Sequence, residues 1–119
     1  MTLDEYQQKA MTTCMPSSEN FSYMFLNLVG EVGEIASKVA KSVRKERLEI
    51  HYDDPFWLEE SFEQEDKDAL MLEAGDVLWQ LSGLCSIMNW RLEDVAKLNL
   101  DKLASRKARD VIDGDGDNR

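Results

Sequence analysis

Histidine and cysteine are almost missing from this chain, with one His and two Cys among 119 residues. Zinc chemistry draws on those two residue types, so their scarcity argues against it. Cys14 and Cys85 form no C-x-x-C and stand near no histidine, and they read as reduced, structural residues of a cytoplasmic protein. His51 stands alone in a charged segment and reads as solvated. Basic residues are short as well: Lys plus Arg total 14 against 24 Asp plus Glu, for a net charge of -10. Without a basic stripe to displace counterions, a nucleic acid is not expected as partner. No apolar run approaches the roughly 20 residues of a membrane span, and the N-terminus lacks a basic-then-apolar leader pattern. No membrane association is expected. Strand alternation and internal repeats are also lacking.

What remains is helical. Thr2-Leu3-Asp4-Glu5 has the form of a capping box and opens a short helix to about Cys14, ended by Met15-Pro16-Ser17-Ser18. A second helix starts near 18–20 and carries an apolar stripe of Phe25, Leu28, Val29, Val32, Ile35, Ala36, Val39 and Val43. From about 45 to 66 the pattern dissolves into an acidic insert, broken at Asp53-Asp54-Pro55 and interrupted by Phe56, Trp57 and Phe62. Those aromatics are expected to pack the insert on the bundle rather than form a lid. A third helix takes over near Lys67, with Leu70, Ala74, Val77, Leu78, Leu81, Leu84, Cys85 and Met88 on one face, and a fourth covers about 92–109. The Gly- and Asp-rich tail, 110–119, is not helical in pattern. Asp113-x-Asp115-x-Asp117 echoes the start of a calcium loop, but it lacks the turn glycine and the closing glutamate. The fold class is all-α, a four-helix-type bundle with an insert between the second and third helices, in one domain spanning 1–119.

Two acidic pairs sit inside the apolar patterns, Glu31-Val32-Gly33-Glu34 and Glu73-Ala74-Gly75-Asp76. Acids three residues apart lie about 60° apart around a helix, and both pairs fall on the same flank of their stripes. If the second and third helices run antiparallel, matching flanks meet and the four carboxylates can converge. Either pair alone reads as a solvated helix edge; two pairs on matching flanks, each beside a glycine, point to a ligand. Gly30, Gly33 and Gly75 each cost roughly 1 kcal/mol against alanine in a helix interior, and close approach or ligand clearance is the expected return. Carboxylates near a core call for a cation. A di-iron bundle would want Glu-x-x-His pairs, which are missing. Oxygen-only ligands favour Mg²⁺, with Mn²⁺ as a substitute, and Mg²⁺ is commonly shared with substrate phosphates.

On the fourth helix Asn99, Lys102 and Arg106 share one face, suited to phosphate oxygens; the plainer reading is cations favourable to a helix C-terminus. Lys38 reads as an i,i+4 partner of Glu34. Tyr6 and Trp79 could border a base pocket, and core packing explains them equally well.

The E-x-x-E and E-x-x-D motifs, with the segment Asn99-Leu100-Asp101-Lys102-Leu103-Ala104-Ser105-Arg106, resemble the MazG-like nucleoside triphosphate pyrophosphohydrolases of the all-α NTP pyrophosphatase superfamily. The resemblance covers 1–44 and 67–119, and the ending Gly114-Asp115-Gly116-Asp117-Asn118-Arg119 is similar to the glycine-rich ending of some phage and bacterial members. It implies hydrolysis of a (d)NTP between the α and β phosphates, giving the monophosphate and pyrophosphate. Glu31, Glu34, Glu73 and Asp76 would hold Mg²⁺, or one glutamate would serve as base for the attacking water. Asn99, Lys102 and Arg106 would bind the substrate phosphates. A homodimer or homotetramer is expected, both from the resemblance and from the length of the apolar stripes. The alternatives are a non-catalytic nucleotide-sensing or regulatory helical module, and a structural bundle with a solvated acidic flank.

Overall fold

The computed structural model describes residues 1–45, 53 and 61–119. His51, Phe56 and Trp57 lie outside the described residues. Helices dominate: α1 (Leu3–Met11), α2 (Phe21–Arg44), α3 (Gln64–Ile87) and α4 (Leu92–Ala108), with one 3-10 turn at Pro16–Ser18. Among the described residues there is no strand.

Local chemistry sets the helix ends. The Thr2 hydroxyl accepts from the Glu5 amide while the Glu5 carboxylate accepts from the Thr2 amide, closing the expected capping box. Asn20 caps α2 by accepting from Tyr23 at 2.8 Å. α3 starts at Gln64, three residues before its sequence pattern begins, because Glu63 and Asp66 form a second reciprocal box and the acids Glu65 and Asp66 suit a helix N-terminus. Asn89 (φ 57°) and Asp110 (φ 57°) end α3 and α4 in left-handed turns. The Trp90 amide then reaches the Cys85 carbonyl at 2.8 Å, and the Val111 amide reaches that of Arg106 at 3.0 Å.

α2 and α3 form the central pair. Met24 lies against Gly83, Glu31 lies beside Glu73 and Asp76, Lys38 pairs with Glu73, and Lys45 shares a cavity with Glu65. Numbers rise on one helix as they fall on the other, so the pair is antiparallel. Gly83 admits Met24 against the α3 backbone, since a Cβ there would collide with the Met24 sulfur. Gly33 and Gly75 do not serve close packing, since a Cβ at either meets nothing within 4 Å, and at Gly30 it meets only Asn27 Oδ1 at 3.6 Å.

The packed face of α2 is not the centre of its apolar stripe. Half-buried and buried positions run Met24, Asn27, Leu28, Glu31, Ile35, Lys38, Val39, Ser42 and Val43, a largely three-four spacing that includes the first acid. Phe25, Val29 and Val32 stay 46%, 60% and 52% exposed, and on α3 Met71, Leu72 and Ala74 are exposed too. A wide stripe has two edges, and α3 covers only the edge that carries Glu31.

α1 is bound to the far end of this pair by polar contacts. Gln7 donates to Ser86 Oγ and to the Trp90 carbonyl, both at 3.0 Å, and accepts from the Leu92 amide at 2.8 Å. The Trp79 indole N–H donates to the Ala10 carbonyl and to Thr13 Oγ1, satisfying the end of α1. Asp4 and Arg91 add an ion pair between α1 and the turn before α4.

The apolar interior of a single chain is thin. Only Met24, Cys85 and Leu92 are fully buried apolar residues among those described. The radius of gyration is 17.7 Å, against about 13–14 Å for a compact chain of this length. Leu98 and Leu100 on α4 are 71% and 66% exposed. No helix among the described residues is long and apolar enough to cross a membrane.

Candidate metal centre and anion site

Antiparallel packing brings three of the four acids together. Glu31, Glu73 and Asp76 each offer a carboxylate oxygen, all within 4.8 Å of one another. Glu31 and Glu73 are half-buried and Asp76 is exposed. Glu34, one turn along from Glu31, is exposed and stands outside this group. Burial pushes the Glu31 carboxyl above the usual carboxylate range, and the charges of Asp76, Glu73 and Glu34 add to that rise. A hydrogen bond from Asn27 Nδ2 to Glu31 Oε1 (3.3 Å) works in the opposite direction. Like charges held this close are what a hard cation relieves, and the donor set is entirely oxygen. The residues therefore fit a divalent ion that keeps several of its waters.

Lys38 is placed differently from its expected pairing with Glu34. Its ammonium reaches across to Glu73 Oε1 at 2.5 Å, joining α2 to α3 at the acid cluster. The α2 face that turns toward α3 carries Lys38 with it, which takes it away from the exposed Glu34. Beyond Lys38 a cavity of about 270 Å³ opens between the end of α2 and the start of α3, bordered by Lys41, Ser42, Lys45, Phe62 and Leu70. Phe62 is half-buried and lines this cavity.

Tyr6 brings α1 to the same region. Burial raises its hydroxyl pKa, and the Asp76 charge raises it further, which places the phenol within electrostatic reach of the acids. Trp79 is used up as a structural donor to α1, as described above.

The cations of α4 form a separate group. Arg106 is 5% exposed, while Lys102 and Asn99 are exposed. Lys102 Nζ and Arg106 Nη2 both hold Asp117 Oδ1, at 3.2 and 3.1 Å. These two hydrogen bonds, that from Lys102 the stronger influence, hold the Asp117 carboxyl below the usual range. Asn99 and Lys102 border a groove of about 560 Å³ with Trp90, Val95 and Leu98. The structure thus gathers the acids at the α2–α3 seam and the cations at the end of α4, where the tail returns to meet them. Sequence reasoning missed Asp117 as the carboxylate that joins Lys102 to Arg106, because a Gly- and Asp-rich tail carries no periodicity from which its path can be read.

Comparison with known proteins agrees with this architecture. Residues 19–110 match the family model of the MazG nucleotide pyrophosphohydrolase domain. The match includes α2, α3 and α4, with all four acids and Asn99, Lys102 and Arg106. Gene 37 protein of Mycobacterium phage L5 is 40% identical, with 100% of each chain covered. No solved structure matches the chain. The match spans well over half of the chain, and the protein belongs to the MazG nucleotide pyrophosphohydrolase family.

Proposed function

We propose that this protein is a Mg²⁺-dependent pyrophosphohydrolase that cleaves a nucleoside or deoxynucleoside triphosphate between its α and β phosphates, releasing the monophosphate and pyrophosphate. The observation that carries this reading is the three-carboxylate group of Glu31, Glu73 and Asp76, where burial first and the neighbouring charges second raise the Glu31 pKa. Membership of the MazG family supplies the reaction class. Glu31, Glu73 and Asp76 would hold Mg²⁺, with Mn²⁺ able to replace it, and Glu34 would complete the set from the exposed side. When bound, the ion supplies charge neutralisation for phosphate oxygens and a bound water of lowered pKa.

The chain's own residues do the rest. Asn27 orients Glu31 through its amide, and Lys38 fixes Glu73 while offsetting one of the crowded charges. One of the glutamates, Glu31, Glu34 or Glu73, would serve instead as the base that accepts the proton of the attacking water. Asn99, Lys102 and Arg106 receive substrate phosphate oxygens, the guanidinium offering a forked donor set. The exposed apolar positions of α2 and α4 are covered by a second copy of the chain, giving a homodimer or homotetramer.

The separation of the two groups favours one other reading. Lys102 and Arg106 pair with the tail rather than with the acids, as in a module that binds nucleotides without turning them over. Measuring pyrophosphate release from a panel of NTPs and dNTPs, with and without Mg²⁺, separates the two. Mg²⁺-dependent release is expected. Nucleotide binding by well-folded protein without any release would establish the binding module instead.

A further inference from the structure

The C-terminal tail is a built loop. Arg119 is its peg: the guanidinium donates to the carbonyls of Val111 (3.0 Å), Ile112 (3.3 Å) and Gly116. The Arg119 carbonyl in turn accepts from Arg109 at 2.6 Å. Gly114 admits the peg, since a Cβ there would lie 2.6 Å from Arg119 Cδ. Gly116 turns the chain at φ 77°. This fold returns Asp117 to α4, where one carboxylate oxygen joins Lys102 to Arg106. Arg106 Nη2 also faces the carbonyls of Gly116 and Asp117, at 3.3 and 3.4 Å.

The two sides of this contact differ in burial. The Arg106 side chain is 6% exposed, and its buried Nε has no hydrogen-bond partner among the described residues. A buried guanidinium with an unused donor is a site short of acceptors. The Asp117 side chain is 84% exposed. An exposed carboxylate is heavily screened by water and gains little from each ion pair, so it is readily exchanged. The loop does not depend on it, because Arg119 holds the turn through backbone carbonyls.

We propose that Asp117 is a built-in occupant of the Lys102–Arg106 anion site, which a polyphosphate displaces on binding. The carboxylate keeps the two cations together in the free protein and competes with the incoming ligand for them. A phosphoryl group offers more acceptors than one carboxylate oxygen and can pair with both cations at once. Displacement needs only the exposed side chain to swing away while the Arg119 peg stays in place. The proposal deepens the assigned function, since it rests on Lys102 and Arg106 being the phosphate-binding cations.

Binding of inorganic tripolyphosphate to the full chain in chelator tests it without turnover. Asp117→Asn is expected to bind the probe about 3- to 10-fold more tightly, because the competing carboxylate contributes only weak exposed pairs. Among the described residues neither cation pairs with Asp115. Asp115→Asn, which makes the same charge change in the same loop, is therefore expected to leave affinity within about 2-fold of the parent. Adding Lys102→Gln to Asp117→Asn should remove the gain. Equal or weaker binding by Asp117→Asn, or an equal gain from Asp115→Asn, would overturn the proposal. The gain persisting in Lys102→Gln would do the same. No pyrophosphate release from any nucleotide, with the tripolyphosphate result intact, would refute the proposed reaction and leave the tail's role standing.

Discussion

Replacing Glu31 by Gln removes one charge from the acid cluster while keeping its shape and its ability to accept from Asn27. Two like charges 4.8 Å apart repel by about 1 kcal/mol in water-like surroundings and about 3 kcal/mol at an effective dielectric near 20. Glu31 is half-buried and faces two such neighbours, and Lys38 offsets one of them. Salt screening favours the lower figure, so the variant should gain about 1–2 kcal/mol when no metal is present. For 119 residues that corresponds to a rise in Tm of about 4–8 °C. The sign follows from linkage. The Glu31 pKa is raised in the folded chain, so folding is favoured by its protonated form. Its contribution is most favourable below the unfolded pKa and is lost as pH rises through the folded value. The variant's advantage therefore appears as pH rises through the folded Glu31 pKa and disappears in acid. If the cluster holds Mg²⁺ as proposed, saturating Mg²⁺ should reverse the order, because the intact cluster would gain about 2.7 kcal/mol at a hundredfold excess over Kd while the variant would gain less. Thermal unfolding at fixed chain concentration, in chelator and in Mg²⁺, reads both effects. A lower Tm for the variant in chelator, or equal stabilisation of both proteins by Mg²⁺, would refute the reasoning.

The carboxylates should not be equivalent. Glu73→Ala removes a member of the close group and strands Lys38, and turnover should fall at least about 100-fold with helicity retained by circular dichroism. Glu34→Ala, outside that group, should also lose turnover but keep more Mg²⁺ affinity; equal loss of affinity in isothermal titration would place Glu34 among the first ligands. Gly75→Ala meets open space and should raise stability by up to about 1 kcal/mol through helix propensity. Gly83→Ala drives a methyl into buried Met24 and should lower stability by about 1–3 kcal/mol, so opposite Tm shifts are expected from the same substitution on one helix. Light scattering at micromolar concentration should report a dimer or larger, and Val29→Asp on the exposed face of α2 should dissociate it; a monomeric parent would contradict this.

Local order was legible in the chain alone. The Thr2–Glu5 box, the apolar runs of three or four turns and the breaker at Met15-Pro16 mark out the four α-helices seen among the described residues, because capping and periodicity act within a few residues. The acid motifs and the Asn99-to-Arg106 segment carry the family, since ligand chemistry is written in residue type. Which edge of a stripe is covered depends on the neighbouring helix. The apolar stripe of α2 took in Phe25, Val29 and Val32, which stay exposed, whereas packing against α3 turned Glu31 and Lys38 inward. The glycine of close approach, Gly83, differs in sequence from Gly33 and Gly75 in nothing that marks a contact. Only the tertiary structure decided that three acids converge at the α2–α3 seam, that Lys38 crosses to Glu73, and that the tail brings Asp117 back to Lys102 and Arg106. Each of these joins residues distant in the chain, and such pairings are set by how whole surfaces fit together rather than by any local pattern.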